Sequence, residues 1–289
     1  MKVKGRFKGI STLVSDSQII SSEGYLEACE QVPDVIYTKR DFLFTGGVWR
    51  GRYVPCALQL AMKQGIEHVI VGHSDHSTNR MDLFRAQLIT RGKIQSISGV
   101  NVYGATKRLE TFPLGVTSNE PESTLHNLLR DNTHFLKASQ VSNFCENYSS
   151  DIYVNFTVAN NSAVRSPIID LVRKLDRKVH IEEPSISQKG RIKFLSMLRQ
   201  SSLTLCPEGN GLDTHRLWET LYMGGTPVVK NNSRLNDFYR QFPIVILPSW
   251  KDLYDTELLY KLWTDVGNLE WDSKKLSLSY WTRKIHGKT

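Results

Sequence analysis

Between Leu203 and Lys230 the chain reads LTLCPEGNGLDTHRLWETLYMGGTPVVK, two short apolar runs on either side of a turn and a charged helix. Leu203 to Cys206 is β-prone. Pro207, Gly209, Asn210 and Gly211 then make a turn, whose glycines permit positive φ and a close ligand approach. Asp213 or Thr214 is placed to cap the following helix, whose apolar face carries Leu217, Trp218, Leu221 and Tyr222. Gly224 and Gly225 end that helix, and Thr226 to Val229 resumes an extended run. A strand, turn, helix and strand in this order belong to an alternating α/β architecture. The turn and the helix N-terminus offer backbone N–H groups to an anion, and Arg216 adds a full charge one turn in.

Glu219 lies three residues beyond Arg216 and so shares its helix face. An arginine so placed can hold a diphosphate while the glutamate accepts the hydroxyls of a ribose. Pro207, Gly209, Asn210, Gly211, Asp213, His215, Arg216, Trp218, Glu219, Gly224 and Pro227 together resemble the C-terminal domain of exostosin-like and related GT-B glycosyltransferases. The resemblance extends upstream through Phe112-Pro113-Leu114-Gly115 and Val154-Asn155-Phe156-Thr157 to Arg165. It implies a nucleotide-sugar donor, a UDP- or GDP-sugar, held by Arg165, Gly209, Asn210, Gly211, Asp213, Thr214, His215, Arg216 and Glu219. The alternative is an ordinary βαβ unit in which Arg216 and Glu219 pair on a solvated helix face. For Arg165 the alternative is a plain surface cation. His215 is either a donor to the leaving group or a structural histidine.

Strands are expected at Val35–Tyr37, Asp41–Thr45, Glu67–Gly72, Ile94–Ser98 and Glu110–Leu114, and helices at about Tyr53–Gln64 and Asn79–Thr90. Alternation of this kind predicts two Rossmann-like, doubly wound domains facing a cleft, residues 1–140 binding acceptor and 150–289 binding donor. The final segment has the option of crossing back, and Lys137–Ser150 is the candidate linker. Strand ends in the first half are where an acceptor-activating base belongs, and His73-Ser74-Asp75-His76 sits at one. Asp75, with His73, is the candidate catalytic pair of an inverting transfer; the competing reading makes Ser74, Asp75 and Ser77 helix caps. A retaining enzyme would leave Asp75 structural. A metal reading of His73, Asp75 and His76 lacks the spacing of familiar sites. No Asp-x-Asp sequence occurs, which points to diphosphate departure assisted by protein cations alone, with no metal.

The net charge of +8 favours a polyanionic partner. Cations and aromatics interleave from Lys39 and Arg40 to Trp49, Arg50 and Arg52, the candidate acceptor-binding tract, as proteins that grip phosphates and stack on bases often do. Gly46 and Gly47 lie within it as a possible close approach to the diphosphate. In general character the chain also looks like GT-B enzymes of bacterial viruses that glycosylate hydroxymethylated bases in duplex DNA, so modified DNA leads a surface glycan or lipid-linked acceptor. Two readings from other classes compete: a noncatalytic nucleic-acid-binding protein and a metal-dependent nuclease built on His73, Asp75 and His76. No apolar run approaches the length of a membrane span, and the basic start MKVKGRFKGIST lacks the apolar core of a signal peptide. A cytoplasmic enzyme, bacterial or in a virus-infected host, is the expectation. Four widely spaced cysteines suggest no disulfide framework.

Overall fold

The computed structural model describes residues 2–4, 19–39, 58, 63–104, 106–117 and 150–287. The chain divides into two compact units. The larger comprises Met1–Ile19, Gly115–Gly209 and Thr214–Leu276, the smaller Ile20–Leu114, Asn210–Asp213 and Ser277–Thr289. Along the chain the first elements are β1 (Lys2–Lys4), α1 (Ser22–Glu30), β2 (Val35–Lys39), β3 (His68–His73), α2 (Arg80–Ile89), β4 (Ser96–Gly99) and β5 (Leu109–Thr111). There follow β6 (Ser150–Val154), α3 (Ser162–Val172), β7 (Val179–Ile181), α4 (Gln188–Gln200), β8 (Ser201–Leu205), α5 (His215–Tyr222) and β9 (Pro227–Lys230). The last are α6 (Asn236–Tyr239), β10 (Val245–Leu247), α7 (Thr256–Asn268), β11 (Glu270–Asp272) and α8 (Leu278–His286).

In the smaller unit the described strands form a parallel sheet in the order β2-β3-β4-β5. Val69, Ile70 and Val71 of β3 are fully buried, as an unbroken apolar run on a central parallel strand should be. Leu83 and Ala86 of α2 close one face over Val69, Val71, Ile97 and Leu109. Asn79 caps α2 with a full capping box: its side chain accepts from Met81 N at 2.7 Å, and Asp82 Oδ2 accepts from Asn79 N at 3.0 Å. That assigns the cap to Asn79 rather than to Ser74, Asp75 or Ser77. The strand expected over Glu110–Leu114 is shorter, because Pro113 has no N–H to continue a ladder. α8 packs against α1 in this unit, close enough that a Cβ on Gly24 would lie 2.3 Å from Leu278 Cδ2.

In the larger unit the sheet runs β10-β9-β8-β6-β7, with every pairing parallel. Ile152, Val154, Leu203, Leu205, Val228, Val245 and Leu247 line its core, and Ile168 and Val172 of α3 pack onto it. β6 continues to β7 on one side, and the chain then returns to β8 on the other. The carboxyl ends of β6 and β8 therefore flank a topological switch point, where ligands of open α/β sheets bind. β1 pairs antiparallel with β11, Val3 opposite Trp271. Trp218 of α5 stacks among Phe238 and Phe242, the latter edge-on at 5.1 Å. No helix among the described residues is long and apolar enough to cross a membrane.

The segments expected at Asp41–Thr45, in most of Tyr53–Gln64 and in the linker before Ser150 lie outside the described residues.

Candidate functional site

Phe156 follows β6 in the larger unit, and its ring collects two cations. The guanidinium carbon of Arg165 lies 5.4 Å from the ring centroid and that of Arg216 lies 5.9 Å from it. Arg165 comes from α3, and Arg216 from the first turn of α5, which leaves β8 through the Pro207–Gly209 turn. Two like charges around one ring repel. Burial first, and then the charge of Arg216, hold Arg165 down at about 10. Burial also lowers Arg216.

The two arginines are used differently. Arg165 is buried and holds three carbonyls, Thr157 O from Nη1 at 2.7 Å, Glu208 O from Nε at 3.0 Å and Pro207 O from Nη2 at 3.3 Å. Three of the five N–H groups of its guanidinium are thus engaged in fixing the turn. Arg216 is half-buried, and its Nε is shielded from water with no hydrogen-bond partner. The arrangement leaves Arg216 a cation in want of an acceptor, held beside a turn that Arg165 has made rigid.

Glu219, on the face expected for it, is only 6% exposed, so the solvated Arg216–Glu219 surface pair is overturned. α5 buries Leu217 through Tyr222 without interruption, because the helix runs inside the unit rather than along its surface. Burial pushes the Glu219 carboxyl up to about 7, against the pull of Arg216, hydrogen bonds from Thr117 and the charge of Arg191. Thr117 Oγ1 donates to Glu219 Oε1 at 3.4 Å. Cys206, just past the end of β8, is buried with its thiol pushed up to about 12, an inert neutral neighbour.

Beside this site stands a second polar group. Glu182, just past β7, accepts from Lys193 at 2.7 Å, from Tyr153 Oη and from Asn155 Nδ2 at 3.4 Å, and pairs with His180 Nε2 at 3.1 Å. Burial tends to raise this carboxyl, but the bonds from Lys193, Tyr153 and His180 outweigh it and hold it at about 2.

The glycines of the turn do not supply the positive φ expected of them. Neither Gly209 nor Gly211 has positive φ. Gly209 is needed for space, since a Cβ there would lie 2.9 Å from Arg165 Nη2. Asn161 Nδ2 adds a bond to Gly209 O at 2.9 Å. Thr214 stands at the helix N-cap but makes no cap hydrogen bond, so the expected cap is absent. His215 Nδ1 bonds Gly115 O at 2.8 Å, and because a carbonyl only accepts, the proton sits on Nδ1.

In the smaller unit Asp213 is buried and accepts from Leu114 N at 2.9 Å, a tie between distant segments rather than a helix cap. Asn101, at φ 56°, accepts from Asp213 N at 3.0 Å and donates to Ser74 O at 2.6 Å. Gly211 fits against the same group, where a Cβ would meet Asn101 Nδ2 at 2.8 Å and Ser74 O at 3.1 Å. His73 is half-buried at the end of β3, Asp75 is exposed, and Ser74 Oγ accepts from His76 N at 3.0 Å. Residues 211–213 and the His73–Asp75 strand end are thus joined within one unit by Asn101, a clamp that sequence reasoning passed over. Asn210 is exposed. Lys39 ends β2, and Arg40, Gly46, Gly47, Trp49, Arg50 and Arg52 lie outside the described residues.

Residues 129–265 match the family model of the RXYLT1 C-terminal domain. The matched stretch contains β6 to β10 and most of α7, and with them Arg165, Arg191, Arg216 and Glu219. It supports a glycosyltransferase. No curated protein matches the chain.

Proposed function

We propose that the chain is a nucleotide-sugar-dependent glycosyltransferase of GT-B architecture. What carries the reading is the pair of guanidiniums on Phe156 beside buried Glu219, at the switch point of a parallel sheet. Arg216 supplies charge to the donor diphosphate, while Arg165 chiefly holds the turn and reaches the same anion with its remaining N–H groups. Glu219 takes the ribose hydroxyls. The cations of the site serve the departing diphosphate in place of a divalent metal. Asp75, with His73, deprotonates the acceptor hydroxyl for inverting transfer. The acceptor is a hydroxyl on an anionic scaffold, a choice that follows from the net charge of +8 and ranks hydroxymethylated duplex DNA ahead of glycan or lipid-linked acceptors.

A thermal-shift panel tests the donor site: UDP, GDP and their sugars with wild type and Arg216→Ala. A ligand that binds only the native state raises the melting temperature. We expect a base-selective rise in wild type that Arg216→Ala lacks. No rise with any nucleotide would sink the transferase reading and return attention to a noncatalytic binder. The selected sugar donor is then offered to hydroxymethylated DNA and to anionic glycans, and transfer to glycan alone would remove DNA as acceptor.

A further inference from the structure

Arg191 lies on α4, one turn in from the Ser187 cap and two residues before Lys193, which pairs with Glu182. Lys189, Lys193 and Arg199 share its helix. Arg191 itself is half-buried. Its Nη1 is shielded from water and has no hydrogen-bond partner, as is the case for Arg216 Nε. α4 packs against α5, and the Arg191 charge reaches Glu219, one turn beyond Arg216. Two arginines on adjacent helices therefore keep an N–H out of water without an acceptor, and the charge of each is felt by the same glutamate. A hidden N–H of this kind has lost its water without gaining an acceptor, a deficit that an anion with oxygens to offer removes.

We propose that Arg191 is a third cation of the donor site and meets the charge that appears on the diphosphate as the sugar leaves. This rests on the donor reading above. In the transfer the bond from the anomeric carbon to the diphosphate oxygen breaks, and its electron pair stays on that oxygen. The acceptor oxygen bonds the anomeric carbon and gives its proton to the base. The terminal phosphate thereby gains about one negative charge, which is absent from the sugar-bearing donor. Arg165 has three of its N–H groups fixed on carbonyls and only two left for the anion, so Arg216 with that remainder is a slender counter-charge for the product. Arg191 supplies the balance of that charge.

The test is calorimetric titration of UDP against UMP, and of GDP against GMP, into wild type, Arg191→Gln and Arg191→Lys. With wild type the diphosphate of the selected base should bind about tenfold more tightly than its monophosphate. Arg191→Gln should lose that preference while monophosphate affinity holds, and Arg191→Lys should restore part of it. Arg191→Lys also keeps a cation in place should the glutamine variant fail to fold. Equal loss of monophosphate and diphosphate binding in both variants, or full diphosphate affinity in Arg191→Gln, would overturn the role. If wild type binds no nucleotide, the donor reading itself falls and this one with it; binding that Arg216→Ala abolishes and Arg191→Gln leaves intact defeats only the proposal for Arg191.

Discussion

Glu219→Gln isolates the cost of a buried carboxylate. The carboxyl titrates near 4.5 in an open chain and at about 7 in the folded protein, where it is 6% exposed and burial is the leading cause of the rise. Between those values the folded state holds a proton that the unfolded chain has released, so stability falls as pH rises through the window. Each tenfold change in proton affinity is worth about 1.4 kcal/mol, so the loss is about 3 kcal/mol once pH is well above 7. Glutamine keeps an acceptor for Thr117 and cannot ionise. Urea unfolding of both proteins at pH 5 and pH 8 gives the difference directly. Wild type should lose about 2–3 kcal/mol relative to Glu219→Gln between the two, since at pH 5 a small part of the loss has already occurred, while other titrating groups cancel in the comparison. A wild-type minus variant difference that does not move with pH would refute both the burial and its electrostatic consequence.

Arg165→Lys removes a fork that no ammonium reproduces, leaving carbonyls of Thr157, Pro207 and Glu208 without their donor, and should cost about 2–4 kcal/mol in urea unfolding. Arg216→Ala removes no side-chain hydrogen bond from the folded protein and should change stability by less than about 1 kcal/mol while abolishing the nucleotide response. Equal destabilisation by the two would erase the distinction between scaffold and ligand arginine. Gly225→Ala sets a Cβ 2.4 Å from Leu198 O and 2.8 Å from Thr220 Cγ2, so backbone must move, and a loss of about 1–3 kcal/mol by thermal or urea unfolding is expected.

The strand, turn, helix and strand at Leu203–Lys230 could be read from sequence because each signal in it is local: β-prone residues, turn formers and a 3.6-residue apolar period. Arg216 and Glu219 shared a face for the same reason. Their burial was not legible. Leu217, Trp218, Leu221 and Tyr222 define one apolar side, but nothing local says that Glu219 and Thr220 on the other side are covered as well. The cap expected of Asp213 failed on a similar ground, since its partner is Leu114 N, supplied by a segment far away in the chain. Gly209 and Gly211 suggest positive φ from sequence, whereas in the fold neighbouring side chains and backbone leave no room for a Cβ at either. Arg191 carries no local sign of its place, because only the packing of its helix against the next one brings it near Glu219.

What joins these separate signals is strand order. Phe156 and Cys206 follow strands that are distant in sequence, and each leads into an ordinary-looking loop. The order β10-β9-β8-β6-β7 sets the two strand ends side by side. The loop after β8 must then run beside Phe156, and Arg165, one helix later, is within reach of its carbonyls. Once those carbonyls occupy Arg165, the next cation along, Arg216, meets the same ring with no acceptor in hand. A parallel sheet with its switch point elsewhere would leave both arginines to solvent and the same residues without a site.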